Sequence, residues 1–269
     1  MIKNMCIRGA SGVIFILLMV AGILLHPYAF LCLQALIASI MLLEFYKLLW
    51  GVNHKGQQII GLCTAFLLLL AASGMLNYLC AVIPLILMFV WQLYRKDQQP
   101  FLIIAQNSLA VLYIALPVVL LSYFVYDAAH HFNGKILLAC FIILWMSDVG
   151  AYFFGIVFGR QGKHKLFPSV SPRKSWEGFI GGFCMALAAG YILSYYWLPF
   201  AVAHCLVIAA LISVFGVWGD LCESLLKRSL GVKDSGHIMP GHGGMLDRFD
   251  AALFAMPAAL LYMKLMTLL

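Results

Sequence analysis

Long runs of apolar residues, separated by short polar segments, dominate this chain. A helix that crosses a hydrocarbon core of about 30 Å needs about 20 mostly apolar residues. Nine runs approach this length, and we predict helices over residues 9–25, 28–49, 58–74, 77–94, 101–124, 135–158, 178–197, 199–219 and 249–268. The pattern therefore predicts an all-α, polytopic integral membrane protein with about nine transmembrane helices.

The composition supports a lipid environment. Apolar residues make up 64% of the chain and charged residues 10%, with a mean hydropathy of +1.00. Lys3 and Arg8 precede the first run as in a signal peptide, but a second run follows at once, so we predict an uncleaved first helix. We assign about five spans to residues 1–130 and about four to 131–269, with polar loops at 160–177 and 228–247, in one continuous membrane domain.

Basic residues fall almost entirely on one side of a nine-span chain. Only Lys135 and Lys264, of 17 Lys and Arg, lie on the other side. Cytoplasmic loops carry the excess of basic residues, so we predict that the amino terminus and the polar loops face the cytoplasm. The lack of a long cytosolic extension favours a bacterial inner membrane.

The net charge of +7 thus describes one face of a membrane protein. The chain has no zinc-finger spacing and no basic-aromatic segment, so we expect no nucleic-acid partner. Its eight cysteines stand singly, without a C-x-x-C pair, which is typical of buried apolar cysteines rather than of disulfides or a thiolate metal site.

A first polar cluster lies inside the sixth run. Asp148 would be about 16 Å from the end of that helix, and so deep a carboxylate should face a wet cavity or a polar partner. Small residues recur every four positions around it, at Ser147, Ala151 and Gly155, and again in the seventh run. Such stripes let helices approach closely, and they can serve packing alone or packing and a site together.

The second cluster is the loop that leads into the seventh run. It contains Ser171, Arg173, Lys174 and Ser175, which combine hydroxyls, two cations and a helix start. These groups suit the binding of phosphate oxygens. Alternatively, the cations contact only anionic lipid headgroups.

The third cluster begins where the eighth run ends. If the helix continues past Asp220, then Glu223, Ser224 and Lys227 share its polar face at i+3, i+4 and i+7. Hard oxygen ligands of this kind suit Mg²⁺, which usually takes one or two carboxylates together with water and substrate phosphates. The alternative is a salt-bridge network among Asp220, Glu223, Lys227, Asp247 and Arg248.

A glycine-rich loop, which lies between Asp234 and Asp247, follows this face. Its glycines allow backbone N–H groups to turn towards an anion. Asp247 and Asp250 then lie three positions apart on the first turn of the last helix. We find no Ser or Cys nucleophile with a paired base in the sequence, which argues against covalent catalysis.

The segment from Ser224 to Asp250 closely resembles the signature of the phosphatidate cytidylyltransferases, also called CDP-diacylglycerol synthases. The matching residues are Ser224, Lys227-Arg228, Lys233-Asp234, Gly236, Pro240-Gly241-His242-Gly243-Gly244 and Asp247-Arg248-Phe249-Asp250. Met239 stands where the family usually has Leu, Ile or Phe. The resemblance extends to Asp148-Val-Gly-Ala-Tyr152 and to Ser171-Pro-Arg-Lys-Ser-Trp-Glu-Gly178, with Arg173 in place of the commoner lysine, and covers about residues 140–255.

This resemblance implies many spans, dependence on Mg²⁺ with one or two ions bound, a homodimer, and CTP and phosphatidic acid as substrates. Under this hypothesis, catalytic roles fall to Asp220, Asp247, Lys227, Arg248 and Asp148. Asp220 and Asp247 would bind the metal, with Glu223 and Asp250 as further candidates. Phosphate binding falls to Ser171, Arg173, Lys174, Ser175, Arg228, Lys233, His242, Gly243 and Gly244.

The implied reaction forms CDP-diacylglycerol and pyrophosphate for phospholipid biosynthesis. A phosphomonoester is largely a dianion at neutral pH, so its attack on the α-phosphate of CTP needs no general base. His242 is then expected to donate a hydrogen bond rather than to act as a base. Two other functions stay open at this point: a CTP-dependent lipid-alcohol kinase, which would want a base, and a transporter, which would need polar groups leading to both membrane faces.

Overall fold

The computed structural model describes residues 2–51, 53–127, 129–159, 164–236, 238 and 243–269, with side chains described from Ser11 onward. Helices account for most of it. They are α1 (Ile2–Leu24), α2 (Pro27–Trp50), α3 (Lys55–Ala72), α4 (Val82–Leu93), α5 (Pro100–Ala110), α6 (Leu116–Leu120), α7 (Lys135–Val157), α8 (Trp176–Tyr196), α9 (Val202–Ser229), α10 (Leu246–Phe249) and α11 (Ala252–Leu265). Two strands, β1 (Lys165–Phe167) and β2 (Ser171–Ser175), precede α8.

Six helical segments among the described residues are long and apolar enough to cross a membrane. They are Pro27–Trp50, Lys55–Ala72, Pro100–Phe124, Lys135–Val157, Trp176–Tyr196 and Val202–Ser229. The first, fourth and ninth predicted spans correspond to shorter apolar stretches: Ser11–Leu24, Tyr78–Leu93 and the 14 residues of α11. The helical membrane architecture is confirmed, whereas the number of nine crossings stays a prediction.

The segment Pro100–Phe124 is one apolar run with an irregular middle. A π-turn over Val111–Ala115 separates α5 from α6, and a 3₁₀ turn over Leu121–Phe124 follows α6. Pro117 has no N–H to donate to the carbonyl one turn earlier, so a helix that contains it loses that hydrogen bond. The π-turn just before Pro117 is the local irregularity expected where the α-helical hydrogen-bond pattern is interrupted.

Helix α9 extends ten residues beyond the predicted end of the eighth span, from 219 to Ser229. It ends where Gly231 adopts a φ of +69°, a conformation that favours glycine. The Val232 N–H donates to the Lys227 carbonyl at 2.9 Å, and the Gly231 N–H donates to the Arg228 carbonyl at 3.1 Å. This pair of bonds is the Schellman arrangement, so the residues that end α9 directly follow the charged residues of its polar face.

The polar loop before α8 contains a β-hairpin that the sequence did not predict. Strand β1 pairs antiparallel with β2, with Lys165 opposite Ser175 and Phe167 opposite Ser171. The Trp176 N–H donates to the His164 carbonyl at 3.0 Å, which continues the pairing into the first residue of α8. The predicted polar loop at 160–177 therefore contains regular structure within the part that the structure describes, 164–177.

The chain forms two compact units. The first comprises residues 1–132 and 234–248, and the second comprises 133–233 and 249–269. The first boundary is close to our division at residue 130, but the segment 234–248, which we placed in the C-terminal region, groups with the N-terminal helices. The candidate residues are therefore distributed over both units.

Helices α7 and α8 pack through the small-residue stripes that the sequence indicates. A Cβ on Gly182 would lie 2.7 Å from the Ser147 carbonyl oxygen, and one on Gly178 would lie 2.9 Å from that of Ala151. Any larger side chain at these positions would push the helices apart. The close approach fixes the position of Asp148, which follows Ser147 on α7, relative to the start of α8.

Candidate active site

The polar face of α9 forms as the helical spacing predicts. Asp220, Glu223, Ser224 and Lys227 follow one another along the helix, and the Ser224 hydroxyl donates to Asp220 Oδ1 at 3.3 Å. Glu223 is 0% exposed and Lys227 is buried, whereas Leu225 is 56% exposed. The charged face of α9 therefore turns into the protein and an apolar side chain faces outward, as expected for a helix that is surrounded by lipid.

Two of these charged groups form a buried ion pair. Lys227 Nζ contacts Glu223 Oε2, one helical turn away. Because both side chains are withdrawn from water, each charge depends on the other for much of its stabilisation. The ion pair that we considered as an alternative thus exists between these two residues, and it holds the Lys227 ammonium group on the polar face.

The hairpin brings a second cation to the same face. Lys174, on β2, places Nζ 2.6 Å from Asp220 Oδ2. Successive side chains of a strand project to opposite sides, so Arg173 does not share this orientation and is exposed. The second and third sequence clusters therefore meet in the second unit, through one of the two predicted basic residues.

Ser175 and Ser171 occupy different positions in the hairpin. Ser175 is the N-cap of α8, and its hydroxyl accepts a hydrogen bond from the Gly178 N–H at 3.2 Å. This confirms the helix start that the sequence indicates. Ser171 begins β2 and is partly buried. For both residues, phosphate binding stays a prediction.

Carboxylates concentrate around Asp250, which lies in the turn before α11. The carboxylates of Asp220, Glu223 and Asp148 act electrostatically on the Asp250 carboxyl group. We call these four residues the acidic cluster. Asp220 and Glu223 are paired with Lys174 and Lys227, and a group of four acidic side chains still favours the approach of a further cation.

In the first unit, described residues from both ends of the glycine-rich loop donate hydrogen bonds to Asp247. Asp247 Oδ2 accepts hydrogen bonds from the Ser235 N–H at 2.9 Å, the Ser235 hydroxyl at 2.8 Å and the Gly244 N–H at 2.8 Å. Gly243 adopts a φ of +83°, and a Cβ there would lie 2.8 Å from Asp247 Oδ2. The loop does turn N–H groups towards an anion, and in this structure the anion is a carboxylate of the protein itself.

Sequence reasoning missed Glu44, a buried carboxylate on α2 in the first unit. Glu44 accepts hydrogen bonds from the Met245 N–H at 2.9 Å and the Leu246 N–H at 2.8 Å. A signal for it was present, because an ionisable residue inside an apolar run is by default a functional candidate. The same argument that predicts a polar environment for Asp148 therefore holds for Glu44.

Three further cations that we predicted as site residues lie at exposed positions. Arg228 and Lys233 are exposed in the second unit, with Arg228 Nη1 donating to the Val232 carbonyl at 3.4 Å, and Arg248 is exposed in the first. His242, with Pro240 and Gly241, lies outside the described residues. The predicted metal ligands Asp220 and Asp247 belong to different units.

No three His, Cys, Asp or Glu side chains come together as a metal cage within the part of the chain that the structure describes. The acidic cluster nevertheless supplies hard oxygen donors of the type that Mg²⁺ prefers. Because Mg²⁺ commonly takes only one or two carboxylates and completes its shell with water and phosphate oxygens, the donor chemistry fits such an ion without a preformed cage.

Comparison with known proteins covers nearly the whole chain. Residues 6–266 match the model of the Cytidylyltransferase family. A phosphatidate cytidylyltransferase of Bacillus subtilis (strain 168) is 35% identical over 259 residues, which are 92% of this chain and 91% of that protein. The phosphatidate cytidylyltransferase of Staphylococcus aureus (strain COL) is 48% identical over 122 residues, 45% of this chain and 46% of that protein. Because the family model matches residues 6–266 and the Bacillus subtilis relative aligns with 92% of this chain, the chain belongs to the cytidylyltransferase family.

Proposed function

We propose that this protein is a phosphatidate cytidylyltransferase, which converts CTP and phosphatidic acid to CDP-diacylglycerol and pyrophosphate in phospholipid biosynthesis. The observation that carries this assignment is the similarity to the Bacillus subtilis phosphatidate cytidylyltransferase over 92% of the chain. The membrane-spanning helices agree with a lipid substrate, and the enzyme is a nucleotidyltransferase.

The charges of the second unit suit this reaction. A lipid phosphate oxygen attacks the α-phosphorus of CTP, the bond to the β-phosphate breaks, and pyrophosphate leaves with the electron pair. Since the attacking group is already an anion, the protein needs to position two phosphate-bearing substrates and to neutralise their charge. Lys174 and Lys227, which are paired with Asp220 and Glu223, would contribute to that neutralisation.

We assign the remaining roles on the same grounds. Asp220 and Asp247 remain our proposed Mg²⁺ ligands, with Glu223 and Asp250 as further candidates, and the ion would supply charge neutralisation and orientation of phosphate oxygens when bound. Arg173, Arg228, Lys233 and Arg248 are exposed cations that would contact phosphates. Asp148 would orient cations or waters near Asp250. The resemblance also supports a homodimer, which the mass of the detergent-solubilised protein would test.

The test of this function is the nucleotide product. Purified protein with CTP, Mg²⁺ and phosphatidic acid is expected to release pyrophosphate in step with CDP-diacylglycerol, and diacylglycerol is not expected to be a substrate. Because one phosphoanhydride is exchanged for another, pyrophosphate and CDP-diacylglycerol should regenerate CTP. Formation of CDP and a phosphorylated lipid alcohol would instead identify a kinase.

We further propose that the polar loops face the cytoplasm of a bacterial inner membrane, because the basic residues concentrate on their side. In a cysteine-free background, cysteines at Ser169 and Asp234 should be labelled by an impermeant reagent only from the cytoplasmic side, and one at Asn133 only from the other. All three positions are exposed. Labelling of Ser169 and Asn133 positions from the same side would contradict the predicted crossing between them.

A further inference from the structure

We infer that Glu44 is a positioning residue for the glycine-rich loop, which it holds at both of its ends so that Asp247 is set in place for the reaction. This inference rests on the proposed function. Glu44 is 5% exposed and lies near the end of α2, inside a segment long and apolar enough to cross a membrane. A carboxylate is costly to bury in such a segment unless its oxygens are hydrogen-bonded.

Its two oxygens are engaged by the residues that lead directly into Asp247. Oε1 accepts from the Met245 N–H at 2.9 Å, and Oε2 accepts from the Leu246 N–H at 2.8 Å. These N–H groups precede Asp247 by two and one positions, so Glu44 fixes the backbone from which the Asp247 side chain extends. Hydrogen bonds between backbone N–H groups and a charged acceptor are stronger than neutral ones, which suits a positioning role.

The same carboxylate reaches the other end of the loop. The Ser235 hydroxyl donates to Asp247 Oδ2 at 2.8 Å and lies 3.4 Å from Glu44 Oε2, so it sits between the two carboxylates. Ser235 is buried as well. Glu44, Ser235 and Asp247 thus form one hydrogen-bonded group that joins the beginning and the end of the loop to α2.

Glu44 also explains two glycines of the loop. A Cβ added to Gly236 would collide with Glu44 Oε1, and one added to Gly244 would collide with Ser235 Oγ and lie 2.6 Å from Glu44 Oε2. Neither glycine has the positive φ that would by itself require this residue type. The backbone approaches the carboxylate too closely for a side chain, so Gly236 is restricted by Glu44, and Gly244 by Glu44 together with Ser235, rather than by local conformation.

This geometry allows a test that separates positioning from folding. Glu44→Gln keeps the size of the side chain but only one acceptor oxygen, and it is expected to lower turnover by about tenfold or more, the scale of a small misplacement at a reacting centre. Glu44→Asp, which retains the carboxylate, should recover part of that loss. Gly236→Ala should mimic loss of Glu44, because its methyl group would displace the carboxylate from Met245 and Leu246.

The turnover of a double variant is the most informative measurement. If Gly236→Ala acts through Glu44, the double variant Glu44→Ala/Gly236→Ala should be no slower than Glu44→Ala alone, whereas independent effects would multiply. The matched control is Gln34→Leu, which removes a buried polar side chain of the same helix whose Nε2 donates to the Val118 carbonyl at 2.7 Å. It should lower the thermal midpoint in detergent without lowering turnover per folded molecule.

Three results would overturn the inference: wild-type turnover in Glu44→Gln and Gly236→Ala, multiplying losses in the double variant, or an equal loss of turnover in Gln34→Leu. Each is measured as pyrophosphate release and CDP-diacylglycerol formation by protein that elutes as folded material. A wild-type protein that forms no CDP-diacylglycerol would defeat the proposed function. An active wild type with active Glu44 variants would defeat this inference alone.

Discussion

Asp220→Ala and Asp247→Ala are each expected to lower turnover by at least about 100-fold, the scale seen when a preorganised electrostatic group is removed. For Asp220 the reason is charge: its carboxylate faces Lys174 at 2.6 Å and contributes to the acidic cluster. For Asp247 the loss has a second source, because three hydrogen bonds from Ser235 and Gly244 end on its Oδ2. The measurement is the initial rate of CDP-diacylglycerol formation at saturating CTP.

Two comparisons make this result interpretable. Asp127→Asn removes an exposed carboxylate that lies outside the acidic cluster and accepts from the Ala129 and His131 N–H groups, so it should leave the rate unchanged. Asp247→Asn keeps an acceptor for the loop but loses the charge. If Asp247→Asn were as slow as Asp247→Ala, the charge would be the important property. Near-normal rates for either alanine variant in folded form would contradict the assignment.

The second large effect is expected at the buried ion pair. Lys227→Met removes the cation that faces Glu223, which is 0% exposed, and breaking such a pair typically costs about 3–5 kcal/mol of stability. The free energy of unfolding should therefore fall, visible as a lower thermal midpoint in detergent. Turnover should also fall, because the phosphates lose a neutralising charge.

The double variant Glu223→Gln/Lys227→Met separates these two effects. Replacing both charges of a buried pair is often nearly neutral for stability, so most of the thermal midpoint should return. Turnover should not return if Lys227 neutralises phosphate. Recovery of both stability and rate would show that the pair serves the fold only.

Much of the charged face could be predicted because helical periodicity is local. The spacing of Asp220, Glu223, Ser224 and Lys227 predicts a shared face, and α9 carries that face to Ser229. The stripes of small residues likewise predict the close approach of α7 and α8. In both cases the relevant neighbours are three or four residues apart, so the chemical pattern in the sequence and the geometry of the helix coincide.

The hairpin illustrates why other features could not be predicted. Ser171-Pro-Arg-Lys-Ser175 is polar throughout and lacks the alternation of a half-buried strand, so it gives no periodic signal. Its pairing with Lys165–Phe167 nevertheless determines which of two adjacent basic residues reaches Asp220. The sequence supplied two equivalent candidates, and only the strand geometry distinguishes Lys174 from Arg173.

The sequence by itself determined that this is a helical membrane protein, that its charged residues gather in a few segments, and that those segments resemble a cytidylyltransferase signature. Hydrophobic length, helical spacing and residue identity are properties of neighbouring positions and can be read from the chain. Only the tertiary structure decided that Glu44 meets Met245, 201 positions away, and that Lys174 faces Asp220. Contacts between residues so far apart in the sequence depend on how whole helices and loops pack. The residues around a carboxylate in an apolar run do not indicate which distant residue will pack against it.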